Sequence, residues 1–480
     1  MVTFVLAGIF LPLIGSLLTL LIPRSWVKRF SQLVTLIALL CTVYVLIGLA
    51  RDGKTAQTIN LISLGNVVVY GIIIDKVSTL ISSAFIFIGF LILVYSGGYL
   101  SRQNKEHPED DVKRRYYFFL MVFIGSMAGL VFSSTMMGLL VFFELTSICS
   151  WGLIGYYDNP AARKAALKAI VITELASIGL YAATAYFYVE TGSLQLSALA
   201  SLNANAKVFI FVGILIAAWG KSAQLPFHFW LPDAMAAPTP ISAYLHAASM
   251  VNAGVYIFAR ALLSAGAVSS LIGIIGSVLA IITMIYGFIM YFPQKDFKRL
   301  LAYSTITQLS YIFLALSLSI FGSTTAFDGA IAHIFNHAFG KSLFFLVAGA
   351  LSYSTGTRLL PGLRGIQKKM PLVGVSFAIA ALAVTGVPPF NGFFSKFSIF
   401  TGGFEVAKSN PWLMVLVIIA ILETVGSFAW LIWCFSESVP GNPTAEVTAA
   451  VDISNSMKFV LITLAALTLI SGYFAMTWLG

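Results

Sequence analysis

Runs of about 20 predominantly apolar residues, the length that carries a helix across a bilayer, follow one another from end to end of this chain. Fourteen can be marked: 2–22, 31–50, 74–97, 115–133, 135–157, 164–189, 207–231, 240–263, 268–292, 299–320, 326–353, 371–402, 411–436 and 457–478. In hydrocarbon a backbone must satisfy its own hydrogen bonds, and for runs of this length the helix does so. The expectation is an all-α polytopic membrane protein with about 14 transmembrane helices. Composition agrees: 59% of residues are hydrophobic, only 10% are charged, and mean hydropathy is +0.94. A soluble domain with a single anchor is thereby excluded, and no polar stretch is long enough to fold as one. Residues 2–22 lack a basic start and a small-residue cleavage site, so they read as span 1 and not as a signal peptide.

The net charge of +10 does not point to nucleic acid, because the basic residues gather in alternate connections. Arg24, Lys28 and Arg29 follow span 1; Arg102, Lys105, Lys113, Arg114 and Arg115 follow span 3; Arg163, Lys164 and Lys168 follow span 5. Lys295, Lys298 and Arg299 follow span 9, and Arg358, Arg364, Lys368 and Lys369 follow span 11. The positive-inside rule places these connections in the cytoplasm and both termini outside, in the inner membrane of a prokaryote. The connection holding Glu437, Glu446 and Asp452 is the exception. Cys41, Cys149 and Cys434 stand singly, and no iron–sulfur, zinc, dinucleotide or P-loop pattern occurs. No cofactor is expected in this chain, and energy for transport must come from a gradient or a partner.

Ionisable residues inside the spans carry the functional signal, since each is costly at membrane depth. Glu144 lies mid-span 5 and Lys221 lies in span 7, ahead of Pro226. The glutamate reads either as a neutral acid bonded within the bundle or as a proton carrier paired with Lys221. A lysine freed from its partner gives up its proton readily. A structural ion pair, or a Schiff-base lysine, stays open at this point. His333, His337 and Lys341 recur at i, i+4 and i+8, stacked on one helix side about 6 Å apart per step. Such a row can pass protons. His246 in span 8 is placed to join two halves or simply to pack. Glu174, His228, Asp233 and Glu423 are possible accessory groups, and Asp75 with Lys76 reads as an interface pair.

Two spans carry prolines. Pro226, Pro232, Pro238 and Pro240 interrupt the chain around span 7, and Pro388-Pro389 breaks span 12 just before Lys396. Broken helices are tolerated only where protein or a cavity satisfies the freed backbone. The breaks lie five spans apart, which suggests inverted five-helix repeats, spans 4–8 and 9–13, meeting at the midplane. The domain division is 1–114 for spans 1–3, 115–263 and 268–436 for the repeats, and 437–480 for the last loop and helix.

The segments KSAQLPFHFWLPDAMAAPTPISAYLHAASMV, HIFNHAFGKSLFFL and GVPPFNGFFSKF resemble blocks of the antiporter-like proton-channel subunits of respiratory complex I, the multisubunit cation/proton antiporters and the membrane-bound hydrogenases. The resemblance implies fourteen helices, inverted repeats and discontinuous helices 7 and 12. It implies Glu144 and Lys221 as a pair, His246, His333, His337 and Lys341 as a central axis, and Lys396 as the terminal lysine. Glu174 and Ser177 stand where several relatives carry an arginine and an aspartate, and Asn252 where some carry a lysine.

The chain stops after span 14, which is expected to set it apart from the complex I subunit that carries a long lateral helix. Residues 75–354 are most similar to an antiporter-like membrane subunit of hydrogenase-4-type, formate hydrogenlyase-like complexes. The expected function is therefore proton translocation in a redox-driven complex. Its partners would be other antiporter-like subunits, a membrane anchor, soluble hydrogenase and iron–sulfur subunits that hold nickel–iron and iron–sulfur centres, and lipid. A complex I or Na+/H+ antiporter component, or a non-pumping spacer, is the alternative.

Overall fold

The computed structural model describes residues 1–110 and 112–480. In chain order it has α1 (Val2–Leu18), α2 (Arg24–Arg51), β1 (Gln57–Leu64), β2 (Val67–Ile74), α3 (Lys76–Tyr99), α4 (Arg114–Phe132), α5 (Met136–Ile154), α6 (Pro160–Thr191) and α7 (Ala204–Lys221). The short α8 (Trp230–Asp233) precedes α9 (Thr239–Ala247), α10 (Met250–Ala265), α11 (Ser270–Ile289), α12 (Phe297–Ser319) and α13 (Thr324–Thr355). After these come α14 (Ile366–Lys369), α15 (Pro371–Thr385), α16 (Asn391–Ala407), α17 (Trp412–Ser438), α18 (Ala445–Thr448) and α19 (Asn455–Leu479). Among the described residues, 12 helical stretches are long and apolar enough to cross a membrane, α9 and α10 counting as one. The helices α1 and α15 are apolar but shorter, one unwinding before Pro23 and the other ending at a break. This is a polytopic all-α membrane protein.

One connection departs from that description. Residues expected to be a plain loop pair as an antiparallel β1–β2 hairpin, Gln57 opposite Ile74, with a two-residue Gly65-Asn66 turn. Gly65 has φ +58°, a conformation that costs glycine little. The hairpin docks on the α4–α5 junction, where the Ser134 amide donates to Gly71 O at 2.9 Å and the Thr135 hydroxyl to Val69 O at 2.8 Å. Gly71 is needed there, because a Cβ would lie 2.6 Å from Ser134 Oγ.

The centre of the bundle is α12 and α13, whose apolar windows are buried throughout. The rim includes α2 and α17, which turn residues such as Leu40, Leu422 and Val425 outward in the manner of lipid-facing helices. Small residues let helices approach closely. On α6 and α7, Gly179 and Gly213 face each other so tightly that a Cβ on either would lie within 2.5 Å of the other's carbonyl oxygen.

The helix breaks are sealed by side chains. α7 stops at Lys221, short of the expected 231, and its freed carbonyls find partners: Trp230 Nε1 donates to Gly220 O at 2.9 Å and Gln224 Nε2 to Ser222 O at 3.0 Å. The hydroxyl of Ser310 on α12 donates to Gln224 Oε1 at 2.8 Å. Lys298, counted above as a loop charge, is instead buried, and its ammonium donates to Met235 O at 2.9 Å and Ala237 O at 2.8 Å. Lys298→Met strands both carbonyls, at about 1–3 kcal/mol each. We expect a lower melting temperature for the detergent-purified protein, and an unchanged one would contradict this role.

A second break was not foreseen. Span 8 is interrupted without proline at Ala248 and Ser249, whose φ is −141° and ψ −119°. Polar side chains compete with the helix here: Ser249 Oγ donates to Tyr244 O at 2.9 Å and Asn252 Nδ2 to Ala247 O at 2.6 Å. Span 12 breaks between Thr385 and Asn391, after Gly386 with φ +80°. There Asn336 and Asn391 form a reciprocal clamp, each Nδ2 donating to the other's carbonyl at 2.9 Å, and Asn391 also reaches Ser471 on α19 at 2.9 Å.

Asp75 does not pair with Lys76. Its carboxylate caps α3, accepting from the Ser78 amide at 2.7 Å, and forms a two-point ion pair with the buried Arg260 of α10 at 2.5 and 3.1 Å. Lys76 donates to Leu479 O at 2.6 Å.

Candidate ion-translocation axis

Helices α5 and α7 build the first cluster. Lys221, fully buried, is the last residue of α7, so its side chain leaves the helix where the backbone breaks. The ammonium donates to Phe143 O at 2.7 Å, to Thr146 Oγ1 at 3.3 Å and to Ser147 Oγ at short range, and lies 4.3 Å from the centroid of the Phe143 ring. Three acceptors and an aromatic face therefore hold the cation without a carboxylate.

The expected Glu144–Lys221 ion pair is not formed. Glu144 is only half-buried, and neither carboxylate oxygen has a hydrogen-bond partner. Successive helix residues point about 100° apart, so Phe143, Thr146 and Ser147 face α7 while Glu144 turns toward α6. There it lies beside Glu174 and Ser177, outside hydrogen-bond geometry. Ser177 bonds its own helix, donating to Thr173 O at 2.9 Å. Two carboxyls side by side on α5 and α6 favour sharing a proton, because like charges cannot both ionise cheaply.

His246 closes α9, fully buried, with neither ring nitrogen hydrogen-bonded. Its ring centroid is 4.6 Å from that of Phe345 on α13. It thus sits between the α7–α9 region and the central helix.

The second cluster is built by α12, α13, α16 and α17. Lys341, fully buried on α13, donates to Ser304 Oγ at 2.6 Å and Leu301 O at 3.3 Å. One turn earlier His337 is buried with both nitrogens free of protein hydrogen bonds, and its ring centroid is 6.3 Å from that of His333. His333 Nδ1 and Ser395 Oγ of α16 share a hydrogen bond at 2.9 Å. Lys396, next to Ser395, is 2% exposed. Its ammonium has no hydrogen-bond partner and sits over the Tyr311 ring, 4.3 Å from the centroid, a cation–π contact. The hydroxyl of that tyrosine bonds Glu423 at short range. The file expected at i, i+4 and i+8 on α13 is present as one face, carried onward by α16.

Of the accessory residues, Glu423 joins this cluster, with the hydroxyls of Tyr311 and Ser427 on its two oxygens. Asp233 pairs with Lys168 of α6 at 2.6 Å, partly exposed. His228 packs on Tyr286 with ring centroids 4.6 Å apart, at the edge of the break. Both lie away from the two clusters. Glu174 belongs to the first cluster through Glu144.

Sequence reasoning missed Ser147, Ser304, Ser395 and Tyr311, which provide the lysines and His333 with their partners. Nothing in their local sequence separates them from ordinary span hydroxyls.

Residues 133–424 match the family model described as NADH:quinone oxidoreductase/Mrp antiporter, transmembrane. Among individual relatives, the chain is 33% identical over 395 residues to a Na(+)/H(+) antiporter subunit from Alkalihalophilus pseudofirmus, covering 78% of this chain and 48% of that one. It is 36% identical over 431 residues to a probable K(+)/H(+) antiporter subunit from Rhizobium meliloti, covering 88% and 42%. The chain spans about half the length of these antiporter subunits. NADH-quinone oxidoreductase subunit L of Campylobacter jejuni is 32% identical over 446 residues, covering 90% of this chain and 70% of that one. Among solved structures, the Mrp complex from a Dietzia species superposes with a TM-score of 0.84 at 27% identity, over 100% of this chain and 51% of that one. A membrane-bound sulfane sulfur reductase, an archaeal respiratory membrane complex, superposes with a TM-score of 0.84 at 26% identity, over 99% and 95%. On the family match and the shared length of the NADH-quinone oxidoreductase relative, the chain belongs to the NADH:quinone oxidoreductase/Mrp antiporter family of membrane proteins.

Proposed function

We propose that this chain is a proton-translocating subunit of a multisubunit membrane complex. Protons would move along the buried axis of Glu144, Lys221, His246, His333, His337, Lys341 and Lys396. The observation that carries this reading is that Lys221, Lys341 and Lys396 are each no more than 2% exposed, and none has a salt bridge to a carboxylate among the described residues. Neutralising partners would be expected of purely structural buried charges. Hydroxyls, carbonyls and aromatic faces instead hold these lysines loosely enough for the proton to leave. The inverted five-span repeats expected from the sequence would supply one half-channel each. Glu144 would move between its α6 neighbour Glu174 and Lys221, and its approach or withdrawal would shift a proton toward the central row. Carrying one charge against 100 mV costs about 2.3 kcal/mol, so the coupling must come from outside this chain.

For the driving partner we favour a redox complex of the membrane-bound nickel–iron hydrogenase kind, in a prokaryotic inner membrane with both termini outside. The likeness of residues 75–354 to an antiporter-like subunit of hydrogenase-4-type complexes supports it. Cation/proton exchange is the second reading, favoured by the 33–36% identity to Na(+)/H(+) and K(+)/H(+) antiporter subunits. Mass spectrometry of the complex purified through a tag on this chain separates them. A nickel–iron large subunit with iron–sulfur proteins supports the first, whereas small membrane subunits alone would overturn it in favour of exchange.

A further inference from the structure

Glu423 has no part in the axis drawn above, yet it is 5% exposed and accepts two hydrogen bonds from hydroxyls. Following those hydroxyls outward in both directions leads to the two lysines of the second cluster. On one side, Tyr311 donates from α12 to Glu423, and its ring carries the Lys396 ammonium at 4.3 Å. On the other, Ser427, one turn along α17, bonds the second carboxylate oxygen of Glu423 and lies 3.4 Å from the Tyr291 hydroxyl. Tyr291, fully buried just beyond the end of α11, has its hydroxyl beside Ser304 and Thr307 of α12. Ser304 is the residue that receives the Lys341 ammonium at 2.6 Å.

We infer that these groups form a second proton connection between Lys341 and Lys396, running through Ser304, Tyr291, Ser427, Glu423 and Tyr311 beside the histidine row. This inference rests on the proton-translocation reading and adds a route to it. Every member between the lysines is a hydroxyl or a carboxyl. Each hydroxyl can accept a proton on oxygen from one neighbour and release its own to the next, so one proton enters and one leaves, and only O–H and N–H bonds change. Glu423 is the one member that can hold the proton as a neutral species, which makes it the waiting point of the route. The last transfer needs the flexible Lys396 stem to swing from the Tyr311 ring face to its hydroxyl or to Glu423. The members come from α11, α12 and α17, so the route does not depend on α13 beyond Lys341. A merely structural Glu423 would explain its two hydrogen bonds. It would not explain why the chain of hydroxyls continues without interruption to a buried lysine at each end.

The test uses inverted membrane vesicles holding the assembled complex, with a pH-sensitive dye and whichever driver, redox substrate or sodium, supports the wild-type signal. Glu423→Gln keeps the shape and a hydrogen-bonding group but cannot carry a proton. Tyr291→Phe and Ser427→Ala each delete one oxygen. We expect proton flux to fall about tenfold in Glu423→Gln, with complex recovery and melting temperature unchanged, and to return toward wild type in Glu423→Asp. Tyr291→Phe and Ser427→Ala should fall alongside it. If Tyr291→Phe fails to assemble, Ser427→Ala on the rim helix decides. Wild-type flux in Glu423→Gln and Ser427→Ala, with Lys221→Met inactive, overturns this route and leaves the function standing. Flux persisting in Lys221→Met would overturn the translocation reading itself.

Discussion

Lys221→Met is expected to cut proton translocation by at least about a hundredfold, the scale on which a positioned acid–base group contributes, while the protein still inserts and assembles. Methionine matches the lysine stem in length and removes only the ammonium. The groups left behind can cope. Phe143 O still accepts the Thr146 hydroxyl at 2.6 Å, Ser147 still faces Thr173 at 3.4 Å, and the Phe143 ring packs as well on a thioether. No carboxylate is stranded, because Glu144 already lies away from the ammonium. This separates the substitution from breaking a buried ion pair, where the partner is left charged. Lys221→Arg is the informative companion: it keeps the charge, holds its proton permanently and should be equally inactive. Activity in Lys221→Arg at the wild-type level would mean that charge, and not proton exchange, is what the site supplies.

Arg260→Leu should be the most destabilising single change outside the axis. Arg260 is 1% exposed and spans Asp75 and the Tyr256 hydroxyl, tying the start of α3 to α10. Its loss leaves the Asp75 carboxylate at an inter-helix contact without its cation, at about 3–5 kcal/mol for a pair of this kind. Thermal unfolding followed by size-exclusion recovery in mild detergent should show a large drop in melting temperature. Asp75→Asn combined with Arg260→Leu should regain part of it. Burial raises the Asp75 carboxyl, but the Arg260 guanidinium and the Ser78 bonds outweigh burial and hold it below the ordinary carboxylate value. A depressed carboxyl gives stability that is present above the ordinary value and lost as pH falls through the lowered one. The wild-type protein should therefore lose this contribution only in strong acid, and Arg260→Leu should flatten the acid limb. Equal melting temperatures for wild type and Arg260→Leu would contradict this account.

The spans were legible because an apolar run of bilayer length has few other folds open to it, and the proline-marked breaks at 226 and 388–389 were legible for the same reason. The break at Ser249 was not, since its cause is a serine and an asparagine that satisfy carbonyls across a gap no proline announces. The β-hairpin was lost because Val67–Ile74 is short and apolar, and its pairing partner is only half patterned. Within the axis, residue type and burial could be read, as for Lys341 and Lys396. Pairing could not. Glu144 was matched to Lys221 on the strength of opposite charge, whereas the helix turn carries it toward Glu174. Arg260 was passed over as the tail of a span, although an arginine inside an apolar run carries the same signal that singled out the lysines. Tyr311 and Glu423 meet through tertiary packing of α12 on α17, which no local pattern encodes.

The most direct test of the central claim is proton movement by the purified complex in sealed proteoliposomes with a pH dye inside. Its driver, redox substrate or a cation gradient, is added from outside, with a protonophore as control. The account predicts a protonophore-sensitive pH change that disappears in Lys221→Met. Full turnover or cation movement with no change in internal pH, or a change that survives in Lys221→Met, would contradict it.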